Sequence, residues 1–211
     1  MQYVYLHGFA SSPHSRKAQY FRERFAGRGV TLEIPALDEG NFEGLTITGQ
    51  LGVVERSAVE GAIALIGSSM GGYLAALYAS RHAEVERLVL LAPAFGFMRR
   101  WPSSFGAERL EHWRHTGRLD LYHYGDKALR SIGYQLIEDG SQYPDYPDFR
   151  QPALIFHGAA DTVVLPEYST EFVSGHANAE LRLVESDHEL LDVLPTICEQ
   201  SMEFLQVSAV G

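Results

Sequence analysis

The stretch Ala64-Leu65-Ile66-Gly67-Ser68-Ser69-Met70-Gly71-Gly72-Tyr73-Leu74-Ala75-Ala76-Leu77 decides how the rest of the chain reads. An apolar run enters Gly-x-Ser-x-Gly and leaves into a segment with small residues at Gly72, Ala75, Ala76 and Ala79. Strand, sharp turn, helix is the order that lifts a serine clear of the backbone at the end of a strand. Gly67 and Gly71 remove side chains that would collide across the turn, and the small residues let the helix lie close to a sheet. The helix N-terminus turns free N–H groups and a positive dipole end toward the same point, where they favour a developing oxyanion. The pentapeptide makes Ser69, not Ser68, the candidate nucleophile. A dinucleotide fingerprint needs Gly-x-Gly-x-x-Gly and a P-loop needs Gly-x-x-x-x-Gly-Lys; neither spacing is present.

Outward from this turn, short apolar runs alternate with helix-spaced ones. Residues 3–6, 30–34, 62–66, 88–91, 153–156 and 181–184 read as strands. Several are apolar on both faces, which suits strands covered by helices on either side. Ala18, Phe21 and Phe25 share one helical face, and Gly27 and Gly29 supply the stop. Ile47, Leu51, Val54 and Ala58 repeat the spacing, as do Leu194, Ile197, Cys198 and Leu205, with Pro195 suited to the first turn. Such alternation predicts an α/β fold with a doubly wound, mostly parallel sheet of about six strands. The 211 residues fit one domain, since a single core can reach about 250 residues.

Residues 94–150 break the alternation. These 57 residues hold 11 of the 24 aromatic side chains and balance eight basic against eight acidic groups. A bare loop of that length is uncommon in a compact domain. Helical spacing over 107–115 and 126–137, with no evident strand, predicts a small helical cap insertion. Its aromatics Trp101, Phe105 and Trp113 are candidate substrate-binding residues.

Composition narrows the function classes. Seventeen basic and 27 acidic residues give a formal charge of −10. That balance repels phosphate backbones and anionic bilayers, so neither nucleic acid nor membrane is an expected partner. No apolar run approaches the roughly 20 residues needed to span a bilayer, and residues 1–6 lack a secretion-signal pattern. A single cysteine excludes an internal disulfide and fits a reducing compartment, so a cytoplasmic location is expected. Cys198 itself shares a helical face with Leu194 and Leu205 and reads as a small core residue.

A serine hydroxyl reacts only when a base takes its proton. Of nine histidines, His188 lies just after the last predicted strand, and parallel strands all end on one rim. His7 and His157 each precede a glycine at a strand end, His112, His115 and His123 fall in the insertion, and His14, His82 and His176 read as surface groups. The base needs a carboxylate to fix its tautomer. Asp161, in the loop after the penultimate strand, fits; Asp187 and Glu189 adjoin His188, and sequence neighbours rarely align with its ring. The order Ser69, Asp161, His188 is that of α/β-hydrolases. After the first strand, Leu6-His7-Gly8-Phe9 offers the Phe9 N–H as an oxyanion donor beside that of Met70, with the Phe9 and Met70 side chains in an acyl pocket. No metal or organic cofactor is expected.

His7-Gly8-Phe9, Gly67-Ser68-Ser69-Met70-Gly71, His157-Gly158-x-x-Asp161 and Asp187-His188 together resemble the α/β-hydrolase superfamily. The opening Tyr5-Leu6-His7-Gly8-Phe9-x-Ser11-Ser12-Pro13 and Ile66-Gly67-Ser68-Ser69-Met70-Gly71-Gly72-Tyr73 are similar to the small YqiA-type esterases. The resemblance implies Ser69 as nucleophile, Asp161 as acid, His188 as base, and Phe9 with Met70 as oxyanion donors. Ala10 and Glu189 depart from that pattern. The expected activity is hydrolysis of a small-molecule carboxylic ester or acyl thioester with an apolar acyl or aryl group. A peptidase, an acyltransferase, or a hydrolase-like fold that only binds a ligand or protein uses the same frame.

Overall fold

The computed structural model describes residues 1–58 and 61–207. Strand β1 (Gln2–Leu6) leads into α1 (Arg16–Ala26), β2 (Leu32–Glu33), α2 (Ile47–Ser57), β3 (Ile63–Ser68), α3 (Met70–Ala79) and β4 (Val85–Leu91). After an insertion, β7 (Ala153–Gly158), α7 (Glu167–Ser174), β8 (Ala179–Val184) and α8 (Leu194–Phe204) complete the alternation. The insertion carries α4 (Phe97–Ser103), α5 (Ala107–Thr116), β5 (Arg118–His123), β6 (Ala128–Gly133) and α6 (Gln135–Gly140). Among the described residues six strands form one sheet in the order β2-β1-β3-β4-β7-β8, and every pairing in it is parallel.

Alternation along each strand builds two cores. Val4, Leu6, Leu65, Leu88, Leu90 and Ile155 face α2, α3 and the insertion. Tyr3, Tyr5, Ile66, Val89, Leu154 and Phe156 face α1 and α8. On that second face Tyr3 meets Phe25 at 5.3 Å and Tyr5 meets Phe21 at 5.6 Å. Burial of each phenylalanine contributes about 2 kcal/mol. Helix α3 is buried along its whole length, as befits a helix apolar on every side. Helices α1 and α2 start on side-chain caps: Ser15 Oγ accepts the Ala18 N–H at 3.4 Å, and Thr46 Oγ1 accepts the Gly49 N–H at 2.9 Å.

Two expectations change. The helix expected over 126–137 is absent up to residue 134: β5 and β6 form an antiparallel hairpin, with Leu119 opposite Ile132 and Tyr122 opposite Leu129. Leu119 and Ile132 are buried while Tyr122 and Leu129 are exposed, the two-faced pattern of a hairpin laid on a core. Helix resumes only at Gln135. The second strand is also shorter than 30–34, pairing only Leu32 and Glu33 with β1 at one edge of the sheet.

Candidate active site

Parallel strands deliver their C-terminal loops to one rim. Ser69 leaves β3 there, Asp161 follows β7 and His188 follows β8. Ser69 adopts φ 54° and ψ −117°, a region that costs a non-glycine residue on the order of 1–3 kcal/mol. The turn is held by Ser69 N–H to Leu91 O at 2.8 Å and by Ser69 O accepting from Gly72 at 2.9 Å and Ala94 at 3.0 Å. The glycines permit it: a Cβ on Gly67 would strike the Gly71 carbonyl, and one on Gly71 would strike the Leu6 carbonyl.

The structure brings the three predicted side chains together. Ser69 Oγ lies 3.1 Å from His188 Nε2, and His188 Nδ1 lies 2.7 Å from Asp161 Oδ2. A carboxylate only accepts, so Nδ1–H donates to Asp161 and Nε2 is left to accept from the serine. Asp161 Oδ1 accepts the N–H groups of Val163 at 2.8 Å and Val164 at 2.9 Å. Burial alone would raise this carboxyl. Hydrogen bonds from His157 and His188, the attraction of His188 and the Val164 N–H outweigh burial and hold it well below the usual carboxylate range. Ser69 and His188 are half-buried, open to the rim. Asp187 turns away, its Oδ1 accepting the Glu189 N–H at 2.9 Å.

Sequence reasoning noted His157 at a strand end but passed over its contact with Asp161. Its Nε2 lies 2.8 Å from Val164 O and 3.2 Å from Asp161 Oδ2. Both oxygens can only accept, so that nitrogen carries a proton shared between them. Nδ1 meets Ser169 Oγ at 2.8 Å. The signal was the spacing His157-Gly158-x-x-Asp161, which returns the chain to the imidazole it has just left. Lys17 was also passed over. It is 8% exposed in the first turn of α1, and burial pushes its amine down against the pull of Glu189, Asp161 and Asp187.

The two oxyanion candidates, Met70 and Phe9, follow β3 and β1. Met70 is the first residue of α3, where helix geometry leaves N–H groups without an intrahelical acceptor. Gly8 brings its backbone against the nucleophile, for a Cβ there would lie 3.4 Å from Ser69 Cβ. The Phe9 ring meets Trp101 at 5.0 Å, Phe42 at 5.4 Å and Phe97 at 5.8 Å. Phe105 follows at 5.0 Å from Trp101. Trp113 differs from expectation: it is fully buried and its Nε1–H donates to Ile132 O at 3.1 Å. It anchors α5 on the hairpin instead of facing an open pocket. The Met70 side chain is likewise buried, with Sδ 3.8 Å from Gln50 Nε2. Of the insertion histidines, His112 and His115 are exposed and His123 is buried. No helix among the described residues is long and apolar enough to cross a membrane.

Comparison with solved structures supports the architecture. The chain superimposes on alpha/beta hydrolase domain-containing protein 10 from mouse with a TM-score of 0.78, at 19% identity over 98% of this chain and 90% of that one. Est1E from Butyrivibrio proteoclasticus, solved with ferulic acid bound, gives 0.75 at 20% identity over 96% and 88%. A monoacylglycerol lipase from Paleococcus ferrophilus gives 0.73 at 17% identity over 96% and 94%. At such identities the likeness is one of fold, the α/β-hydrolase fold. No curated protein sequence matches the chain. A family model does match, over residues 2–206, so that sheet, elbow and rim loops all fall within it: the chain belongs to the family described as uncharacterised protein family UPF0227.

Proposed function

We propose that the protein is a serine hydrolase that cleaves a carboxylic ester or acyl thioester through an acyl-enzyme intermediate. One observation carries the reading: the continuous hydrogen-bonded line from Ser69 Oγ through His188 to Asp161, at 3.1 and 2.7 Å. His188 Nε2 takes the serine proton as Oγ attacks the substrate carbonyl. The Phe9 and Met70 N–H groups hold the tetrahedral oxyanion. The imidazolium then protonates the departing alcohol or thiol, and water repeats the sequence to free the acid. Asp161 keeps the imidazole in its working tautomer. Besides substrate and water, these steps draw on Ser69, His188, Asp161, Phe9 and Met70.

Residues 94–150 serve in this reading as a cap, with Phe9, Trp101 and Phe105 as an apolar wall for the acyl or aryl part of a small-molecule substrate. The aromatic contacts around Phe9 support that wall, as do the names of the fold neighbours: Est1E with ferulic acid bound and a monoacylglycerol lipase.

The test is labelling with a fluorophosphonate, followed by turnover of p-nitrophenyl esters of increasing acyl length beside acyl thioesters. Labelling lost in Ser69→Ala, with ester turnover reduced to background, is the expected result. Folded protein that takes no label and turns over no acyl substrate would identify a hydrolase-like fold that only binds. Product formed only with an added alcohol acceptor would identify an acyltransferase.

A further inference from the structure

The loop that carries Phe9 is gripped from outside its own strand. Ala10 has φ 51°, a left-handed conformation that L residues with a Cβ avoid. Its carbonyl accepts the Tyr124 N–H at 2.7 Å and the Gly125 N–H at 3.4 Å. Both donors sit in the turn between β5 and β6, more than a hundred residues along the chain. The turn is in turn fixed: the Asp126 N–H donates to Nδ1 of buried His123 at 3.0 Å, and the His123 ring stands edge-on to Phe42 at 4.7 Å. Gly125 leaves no slack, since a Cβ there would lie 2.8 Å from Ser12 Cβ and 3.0 Å from His123 Cε1. The hairpin's other end is tied to the segment beside Phe42, where Gly133 N–H and Gln135 Nε2 donate to Glu43 O at 3.0 and 2.6 Å.

We propose that the Tyr124 main-chain N–H is a positioning group for the oxyanion pocket, making turnover depend on the insertion hairpin being docked on Ala10. The inference rests on the hydrolase reading above. A backbone hydrogen bond at 2.7 Å fixes the Ala10 carbonyl in direction. The Ala10 conformation then fixes how the neighbouring Phe9 peptide is aimed across Gly8 toward Ser69. Oxyanion donors work only when already in place, and a misplacement of about 1 Å can cost about 10²-fold in rate. The hairpin touches none of the reacting atoms and acts through residues 9 and 10.

Two substitutions at one position separate the backbone from the side chain. Tyr124→Pro deletes the N–H, and proline suits the early position of a turn. Tyr124→Ala removes a ring that is 71% exposed and keeps the N–H. Tyr124→Pro is expected to lower kcat by about 10–100-fold with KM within about twofold, while Tyr124→Ala stays within about twofold in both. Amide hydrogen exchange over residues 8–12 should rise at least about tenfold in the proline variant alone. Exchange unchanged in Tyr124→Pro, or kcat equal to that of Tyr124→Ala, overturns the proposal. Where Tyr124→Pro does not fold, Gly125→Ala makes the same test by driving the turn off Ser12, with the same two readouts. Wild-type protein without Ser69-dependent labelling is a different failure, that of the hydrolase reading itself.

Discussion

His157 Nε2 lies 3.2 Å from Asp161 Oδ2, with neither side chain exposed to solvent. The carboxylate is thus shared between an imidazole inside the core and the half-buried one at the rim. In His157→Phe, Asp161 keeps His188 and two backbone donors, while Val164 O and Ser169 Oγ lose a partner. A loss of about 2 kcal/mol is expected, the usual scale for a hydrogen bond to a charged group. Urea denaturation measures it. Unchanged stability would mean that the contact is idle.

Asp161→Asn tests the carboxylate itself. In the proposed reading this side chain sets the base's tautomer, so its loss is expected to lower kcat by about 10⁴-fold with KM little changed. The pH dependence has a definite sign. The folded carboxyl titrates below its ordinary value, so its stabilisation is complete above about pH 3.9 and fades as pH falls toward the folded value. Urea curves for wild type and Asp161→Asn should therefore stay apart down to about pH 4 and converge only as the pH is taken below that. A gap that widens on acidification contradicts the assignment.

Ser69 at φ 54° is a strained residue whose chemistry, in the proposed reading, depends on the strain. Ser69→Gly should raise the unfolding free energy by roughly 1 kcal/mol as it removes activity. Gly71→Ala should do the opposite to stability, since its Cβ meets the Leu6 carbonyl and backbone must move, at about 3 kcal/mol. Thermal or urea unfolding of the pair reads both signs.

Cys198 is fully buried, and burial pushes its thiol up to about 12. Only the thiolate reacts with alkylating reagents. Iodoacetamide at pH 8 should leave native protein unmodified and label it fully in denaturant. Mass spectrometry before and after unfolding decides the point. Modification of native protein with loss of activity would put the thiol at the site.

Where local pattern and tertiary demand agree, the sequence was readable. Leu88-Val89-Leu90-Leu91 suits a strand covered on both faces, and Gly67-x-Ser69-x-Gly71 names a turn that few other arrangements require. The hairpin escaped because Leu129, Ile132 and Leu136 fall at helical spacing, and residues 128–133 hold only one β-branched side chain. What settles 118–133 is the long-range seat of Leu119 and Ile132 in the core, which no local window contains. Trp113 was misjudged for the same reason: composition marks an aromatic as large and apolar but not the direction in which it faces. His157 was in view, yet its role depends on a neighbour four residues on whose own position depends on a sheet.

The parallel sheet has a temporal consequence. Ser69 and His188 are separated by 119 residues, and β4 reaches its partner β7 only after the whole insertion has been spanned. Contacts so distant in sequence make assembly slow. During synthesis the elbow at Ser69 emerges 119 residues ahead of His188, so a nascent chain holds the serine without that imidazole until the loop after β8 has been made.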